Sequence, residues 1–323
     1  MRKHGLPVLI PLGLAWLILL CSHAIAEDVI LFYEGSGITN LADIQSYAQV
    51  AQNLHLMSKT VDHRFINERD SFFDQNSHRK FGVLILPGGV AYRWFEKFEG
   101  KGINCQGVKN ILSFIEDGGS VIAICICAPS IFAIREEFMV PNLRDPFYKE
   151  GKWEIRTGAF KLFCGVYAFK GSLRGPQETN RPYPKPRFLP IKMNSENEIV
   201  REAKLPSVIY QLVMGGGSIL PEKGQPLEIV GWFPNGTAAI GIVPYGKGRI
   251  IMSGPHPNIT GERAWRWLPK GTLGDHAREH GWTETMIAEE LKLIETEGDP
   301  DGPKPDWALS KAMLSYAYKK ALQ

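Results

Sequence analysis

The strongest constraint on this chain is a repeated arrangement. Short, continuous apolar runs end in glycine or other small residues and are followed by segments of helical spacing. Residues 28–33 (DVILFY) stop at Glu34-Gly35-Ser36-Gly37, and Asn40 to Met57 then has apolar residues at helical intervals. Val83–Leu86 ends in Pro87-Gly88-Gly89, and Val108 to Ile115 is amphipathic, with Ile111, Leu112 and Ile115 on one face. Val121–Ile124 runs into Cys125, and a helix is predicted from Ala128 to Phe138, with Pro129 in the first turn, where its missing N–H costs nothing. Strands apolar on both sides must be covered on both sides, so the pattern predicts an α/β fold: a flavodoxin-like parallel sheet with helices on both faces. In such sheets ligands bind at the carboxyl edge, where all three runs end.

From Trp153 onward the texture is β-rich. Runs at Phe160–Phe169, Leu189–Met193, Val208–Met214, Leu227–Phe233, Ala238–Val243 and Arg249–Ser253 are separated by turn signals such as Gly215-Gly216-Gly217 and Pro234-Asn235-Gly236. They predict a mixed or antiparallel extension of the same domain, with the proline-rich residues 175–188 as an extended loop. Helices are predicted at Thr283–Glu295 and Trp307–Leu322, so that 263–323 forms a helical extension packed on a domain spanning 27–262.

The amino terminus begins Met1-Arg2-Lys3-His4, continues with a mostly apolar run from Leu6 to Leu20, and offers small residues at Ala24 and Ala26. This is the pattern of a cleavable signal peptide over 1–26, which implies a secreted or periplasmic protein with no stable membrane span after cleavage. Removing Arg2 and Lys3 from the 37 Lys and Arg leaves 35 against 34 Asp and Glu, a balance that gives no reason to expect nucleic acid as a partner. The expected ligand is a small molecule or peptide. Cysteines 105, 125, 127 and 164 would remain; if Cys125 stays a thiol, at most one bridge forms, and spacing does not select the pair.

The run Val121–Pro129 has the layout of a nucleophile elbow with Cys125 at its tip. A cysteine where a strand turns into a helix gains stabilisation of its thiolate from unpaired N–H groups and the helix dipole. Residues 245–258 supply a second element, an apolar strand that ends in His256 between two prolines. If both strands run parallel, His256 reaches the same edge as Cys125, and a Cys–His pair is the minimal device for making a thiolate and returning its proton. Gly88 and Gly89, with the N–H of Ile126, are the candidate oxyanion donors. A buried structural cysteine and a surface-loop histidine are the competing readings of the same residues.

Several segments together resemble class I glutamine amidotransferase-like proteins: residues 86–89 (LPGG), 100–102 (GKG), 115–119 (IEDGG), 123–128 (AICICA) and 253–257 (SGPHP). The likeness is greatest to the amino-terminal domain of eukaryotic-type biotin-protein ligases and its stand-alone bacterial relatives, through residues 33–38 and Gly215–Gly217, and it runs from about Val29 to Asn258. It implies the fold and a cysteine-dependent amidase or hydrolase in which a residue after the His-Pro pair orients the histidine. Asn258 stands where the family's glutaminases have glutamate, and Ala123 and Cys127 where the elbow usually has glycines. A more distant resemblance, to the DJ-1 and PfpI group, implies a thiol redox or stress role and places Glu34, after the first strand, beside the cysteine. The departures at Cys127 and Asn258 favour a third reading, a catalytically silent binding module. No ligase half and no biotin loop follow, so biotin transfer is not implied. No cofactor is implied either. His276, Glu279 and His280 match an inverzincin pattern but lie between Gly274 and Gly281, too short a segment for the helix such a metal site needs, and no metal is expected.

Overall fold

The computed structural model describes residues 28–35, 39, 41–89, 97–98, 106–125, 137–139, 148–149, 152–154, 187–213, 219, 226–233, 236, 238–257, 283–285 and 307–323. In chain order the described elements are β1 (Val29–Phe32), α1 (Leu41–Asn53), β2 (Ser58–Val61), α2 (His63–Asn67), α3 (Arg69–Phe72), β3 (Val83–Leu86), α4 (Gln106–Glu116), β4 (Ser120–Ile124), β5 (Glu137–Met139), β6 (Tyr148–Lys149), β7 (Lys152–Glu154), β8 (Arg187–Met193), α5 (Glu198–Ala203), β9 (Val208–Val213), β10 (Glu228–Trp232), β11 (Ala238–Tyr245), β12 (Gly248–Ser253) and α6 (Ala308–Ala321).

Nine of these strands form one sheet in the order β2-β1-β3-β4-β12-β11-β10-β8-β9. The pairings from β2 to β12 are parallel and those from β12 to β9 antiparallel, so the β-rich second half of the chain continues the sheet. β5, β7 and β6 form a separate small sheet.

The continuous apolar runs become strands because both faces are covered, with successive side chains going to opposite layers. Val29, Leu31, Val83, Ile85, Ile122, Ile124 and Ile251 pack with Ile44 and Val50 of α1, Ile199 of α5 and Met313 and Leu314 of α6. Ile30, Phe32, Leu84, Leu86, Val121, Ala123, Ile250 and Met252 face the other way, against Ile66 of α2, Phe72 of α3 and Ile111 and Phe114 of α4. The rings of Phe81 and Phe114 stack there at 4.5 Å between centroids. β12 lies close against the end of α4: a methyl group on Gly248 would collide with the carbonyl oxygens of Gly119 and Ile115.

Several boundaries differ from the expectations. The first helix ends at Asn53, where the chain turns through His55 in the left-handed region (φ 57°) to enter β2. β2 (SKTV) escapes a hydrophobicity reading because it is an edge strand whose first three residues are exposed. Residues 137–138, expected to end a helix, are strand: Phe138 is in register with Trp153 of β7, and that pairing overrides local apolar spacing. β8 begins at Arg187, inside the expected loop 175–188. The expected strand at 160–169, residues 128–136 of the expected helix, most of the expected helix at 283–295 and the signal segment 1–26 lie outside the described residues. Among the described residues no helix is long and apolar enough to cross a membrane.

α6 packs across β3, β4 and β12 and beside α1 and α5, which ties the carboxyl end of the chain to the central strands. Arg79 donates to the Ala321 carbonyl at 2.8 Å, and the Tyr318 hydroxyl donates to Asp28 Oδ1 at 2.6 Å. Burial, the Asp28 hydrogen bond and the Asp28 charge push the Tyr318 phenol from 10.0 up to about 12. A pKa raised on folding contributes stability that is complete below the unfolded value and is lost as pH rises through the folded one. Folding stability is therefore expected to fall between pH 10 and about pH 12 more steeply in the wild type than in Tyr318→Phe, as urea unfolding across that range would show.

Candidate functional site

Three adjacent parallel strands deliver the site. β3 ends at Leu86, β4 at Ile124 and β12 at Ser253, and each is followed by one of the expected residues: Gly88, Cys125 and His256. The β4–β12 pairing sets Ile124 opposite Ser253, so the elbow and the histidine turn leave the sheet side by side.

Cys125 has φ 63°, in the left-handed region that a residue with a side chain enters at a cost of about 1–2 kcal/mol. A strained turn directly after a strand is the part of the expected nucleophile elbow that falls within the described residues. Cys125 is buried and carries a thiol, not a disulfide sulfur.

His256 is held by its own backbone and by its loop. Its N–H donates to Leu212 O of β9 at 2.8 Å, the Gly254 N–H donates to Ala239 O at 2.9 Å, and the Ser253 hydroxyl donates to Pro255 O at 2.8 Å. The imidazole is 1% exposed. Its Nδ1 lies 3.0 Å from Asp43 Oδ1, and its Nε2 is buried with no hydrogen-bond partner among the described residues. An ionised carboxylate can only accept, so the contact places the proton of a neutral imidazole on Nδ1 and leaves the lone pair on Nε2.

Asp43 was not among the residues expected from the sequence. It lies in the first turn of α1, on the buried stripe that also contains Ser46, Tyr47 and Val50, and is 0% exposed. Its second oxygen, Oδ2, accepts the Gly88 N–H at 2.7 Å. The positive end of α1 favours its charge. Three groups meet at Gly88: a methyl group there would lie 2.7 Å from His256 Cε1, 3.0 Å from Asp43 Oδ2 and 3.0 Å from Cys125 Cβ.

The other expected residues are placed as follows. The Gly88 N–H, expected to hold an oxyanion, is committed to Asp43, because a buried carboxylate needs that donor. Gly89 has φ 153° and bridges Thr39. Glu34, expected to charge or orient the site, is engaged by His63: its Oε2 accepts the His63 N–H at 2.9 Å and its Oε1 lies 2.7 Å from His63 Nδ1. Ile126, Asn258, Cys105, Cys127 and Cys164 lie outside the described residues, as do His276, Glu279 and His280. Among the described residues no group of three or more His, Cys, Asp or Glu could hold a metal ion.

Comparison with solved structures bears on the fold. The crystal structure of a glutamine amidotransferase from Thermotoga maritima matches with a TM-score of 0.51 at 12% identity, covering 91% of this chain and 98% of that one. The chain has a class I glutamine amidotransferase-like fold. PurLQS from Thermotoga maritima is a weaker match, with a TM-score of 0.41 at 11% identity over 84% of this chain and 98% of that one. No family model and no curated protein matches the sequence. At such identities the likeness speaks for the glutamine amidotransferase-like fold alone, and the finer resemblance to biotin-protein ligase domains stays an expectation.

The convergence on Gly88 can be tested directly. Gly88→Ala is expected to destabilise the protein by roughly 2 kcal/mol through overpacking and to slow alkylation of Cys125 by iodoacetamide. Urea unfolding and intact mass spectrometry would read the two effects. Unchanged values for both would contradict the close approach.

Proposed function

We propose that the protein is a cysteine-dependent amidase or hydrolase, with Cys125 as nucleophile and His256 as general base and acid. In keeping with the leader-like residues 1–26, it would act in a secreted or periplasmic compartment. The observation that carries this reading is that a strained cysteine after β4, a buried histidine whose Nε2 has no partner among the described residues and a buried carboxylate all meet at one glycine.

The chemistry is acyl transfer. Nε2 takes the Cys125 proton as Sγ bonds to the substrate carbonyl carbon, giving a tetrahedral oxyanion. Collapse breaks the bond to the leaving group, which departs with the proton from Nε2, and a thioester remains. A water then attacks that thioester and gives its proton to Nε2. The second collapse releases the carboxylic acid, and Sγ takes the proton back. Because the Gly88 N–H is used by Asp43, the oxyanion falls to the N–H groups of Gly89 and Ile126. The deformation that φ 63° imposes on Cys125 serves to present the sulfur at the strand's end.

A pH series of intact-mass measurements with iodoacetamide tests the reading, together with ammonia release from L-glutamine and the acylation burst with p-nitrophenyl acetate. In wild type Cys125 is expected to alkylate faster than any other cysteine, with a low-pH limb well below the value near 8.5 of an ordinary thiol. Cys125→Ser should lose the fast label, and His256→Ala should slow it at least about tenfold at neutral pH. Alkylation of Cys125 with an ordinary thiol profile, indifferent to His256→Ala, would instead leave a silent module of the same fold.

A further inference from the structure

We infer that Asp43 is the positioning residue of this site: one carboxylate on helix α1 fixes both the tautomer of His256 and the turn after β3. The inference rests on the Cys125–His256 reading and departs from the expectation that a residue just after the histidine, or Glu34, orients the ring.

The placement is specific. Oδ1 faces His256 Nδ1 at 3.0 Å and Oδ2 accepts the Gly88 N–H at 2.7 Å, so each oxygen serves a different strand end. Both the carboxylate and the imidazole are nearly solvent-free, with side-chain exposures of 0% and 1%. A buried carboxylate bound in this way has a defined direction for its acceptance, and the ring cannot rotate without breaking that contact. The same bond holds the peptide of Gly88, next to Gly89, the remaining oxyanion candidate on that loop. Asp43 therefore links the base to the loop that receives the substrate carbonyl. Glu34 is occupied by His63, and its two oxygens have their own partners.

Orientation by Asp43 predicts an asymmetry between substitutions. In Asp43→Asn the side chain keeps its size, but one of its two ends becomes a donor. If the amide oxygen keeps the Gly88 N–H, the NH2 group faces Nδ1 and forces the proton onto Nε2, the wrong nitrogen for a base. If the oxygen turns to Nδ1, the NH2 group opposes the Gly88 N–H, and the turn loses its anchor. Either arrangement lowers reactivity in a chain that still folds.

The test uses the full chain and measures p-nitrophenyl acetate acylation and iodoacetamide alkylation of Cys125 against pH for Asp43→Asn, Asp43→Glu, Glu34→Gln, Asn258→Ala and His256→Ala. Urea unfolding of each variant verifies that it is folded. Asp43→Asn is expected to slow acylation on the order of 100-fold or more and to move the low-pH limb of alkylation upward. Asp43→Glu should recover part of the rate. Glu34→Gln and Asn258→Ala should stay near wild type in both. If folded Asp43→Asn matches wild type in rate and pH profile while His256→Ala is slow, the role of Asp43 is overturned and the Cys125–His256 reading survives. Loss of rate in Asn258→Ala with Asp43→Asn unaffected would assign the orienting role to Asn258. If His256→Ala is as fast as wild type, the underlying reading itself has failed.

Discussion

A carboxylate with no access to water governs the arrangement at the sheet edge. Asp43 must be satisfied by donors, because a charge in this environment is expensive to bury, and it finds them in the Gly88 N–H and His256 Nδ1. Removing one partner of a buried charged pair typically costs about 3–5 kcal/mol. The two strand ends that supply these donors are therefore not independent. The β3 turn and the β12 loop are fastened to α1, with Cys125 just past the end of the strand between them.

The parallel half of the sheet makes this possible. β3, β4 and β12 lie next to one another and run the same way, so three chain segments far apart in sequence end together. The antiparallel half also contributes: Leu212 of β9 accepts the His256 backbone N–H and Ala239 of β11 that of Gly254. The strained conformation of Cys125 costs free energy that the flanking core offsets, since Val121–Ile124 are fully buried on both faces of the sheet.

The sequence showed most of this and missed one decisive residue. Continuous apolar runs are legible because strands covered on both faces have no polar side, and Val83–Leu86 was bounded to the residue. The elbow and the histidine were legible because each ends such a run. β2 was not, being a polar edge strand, and neither was the short helix α5, which begins with Asn197 capping Ile199. Asp43 was hidden because an acidic residue near the start of a helix normally reads as a solvated contribution to its dipole. The signal was there: helical spacing puts Asp43 in line with Tyr47 and Val50, so this acid had to lie on the buried stripe. The commitment of the Gly88 N–H could not be foreseen either, since it depends on a partner far away in the chain.

The most direct measurement is the heteronuclear NMR spectrum of the His256 ring in the resting protein, with Asp43→Asn as reference. If Asp43 fixes the ring, Nδ1 carries a hydrogen-bonded, strongly downfield proton whether or not Nε2 has taken the Cys125 proton, and that signal disappears in the variant. An Nδ1 without a proton in the wild type, or a ring spectrum indifferent to Asp43→Asn, would contradict it.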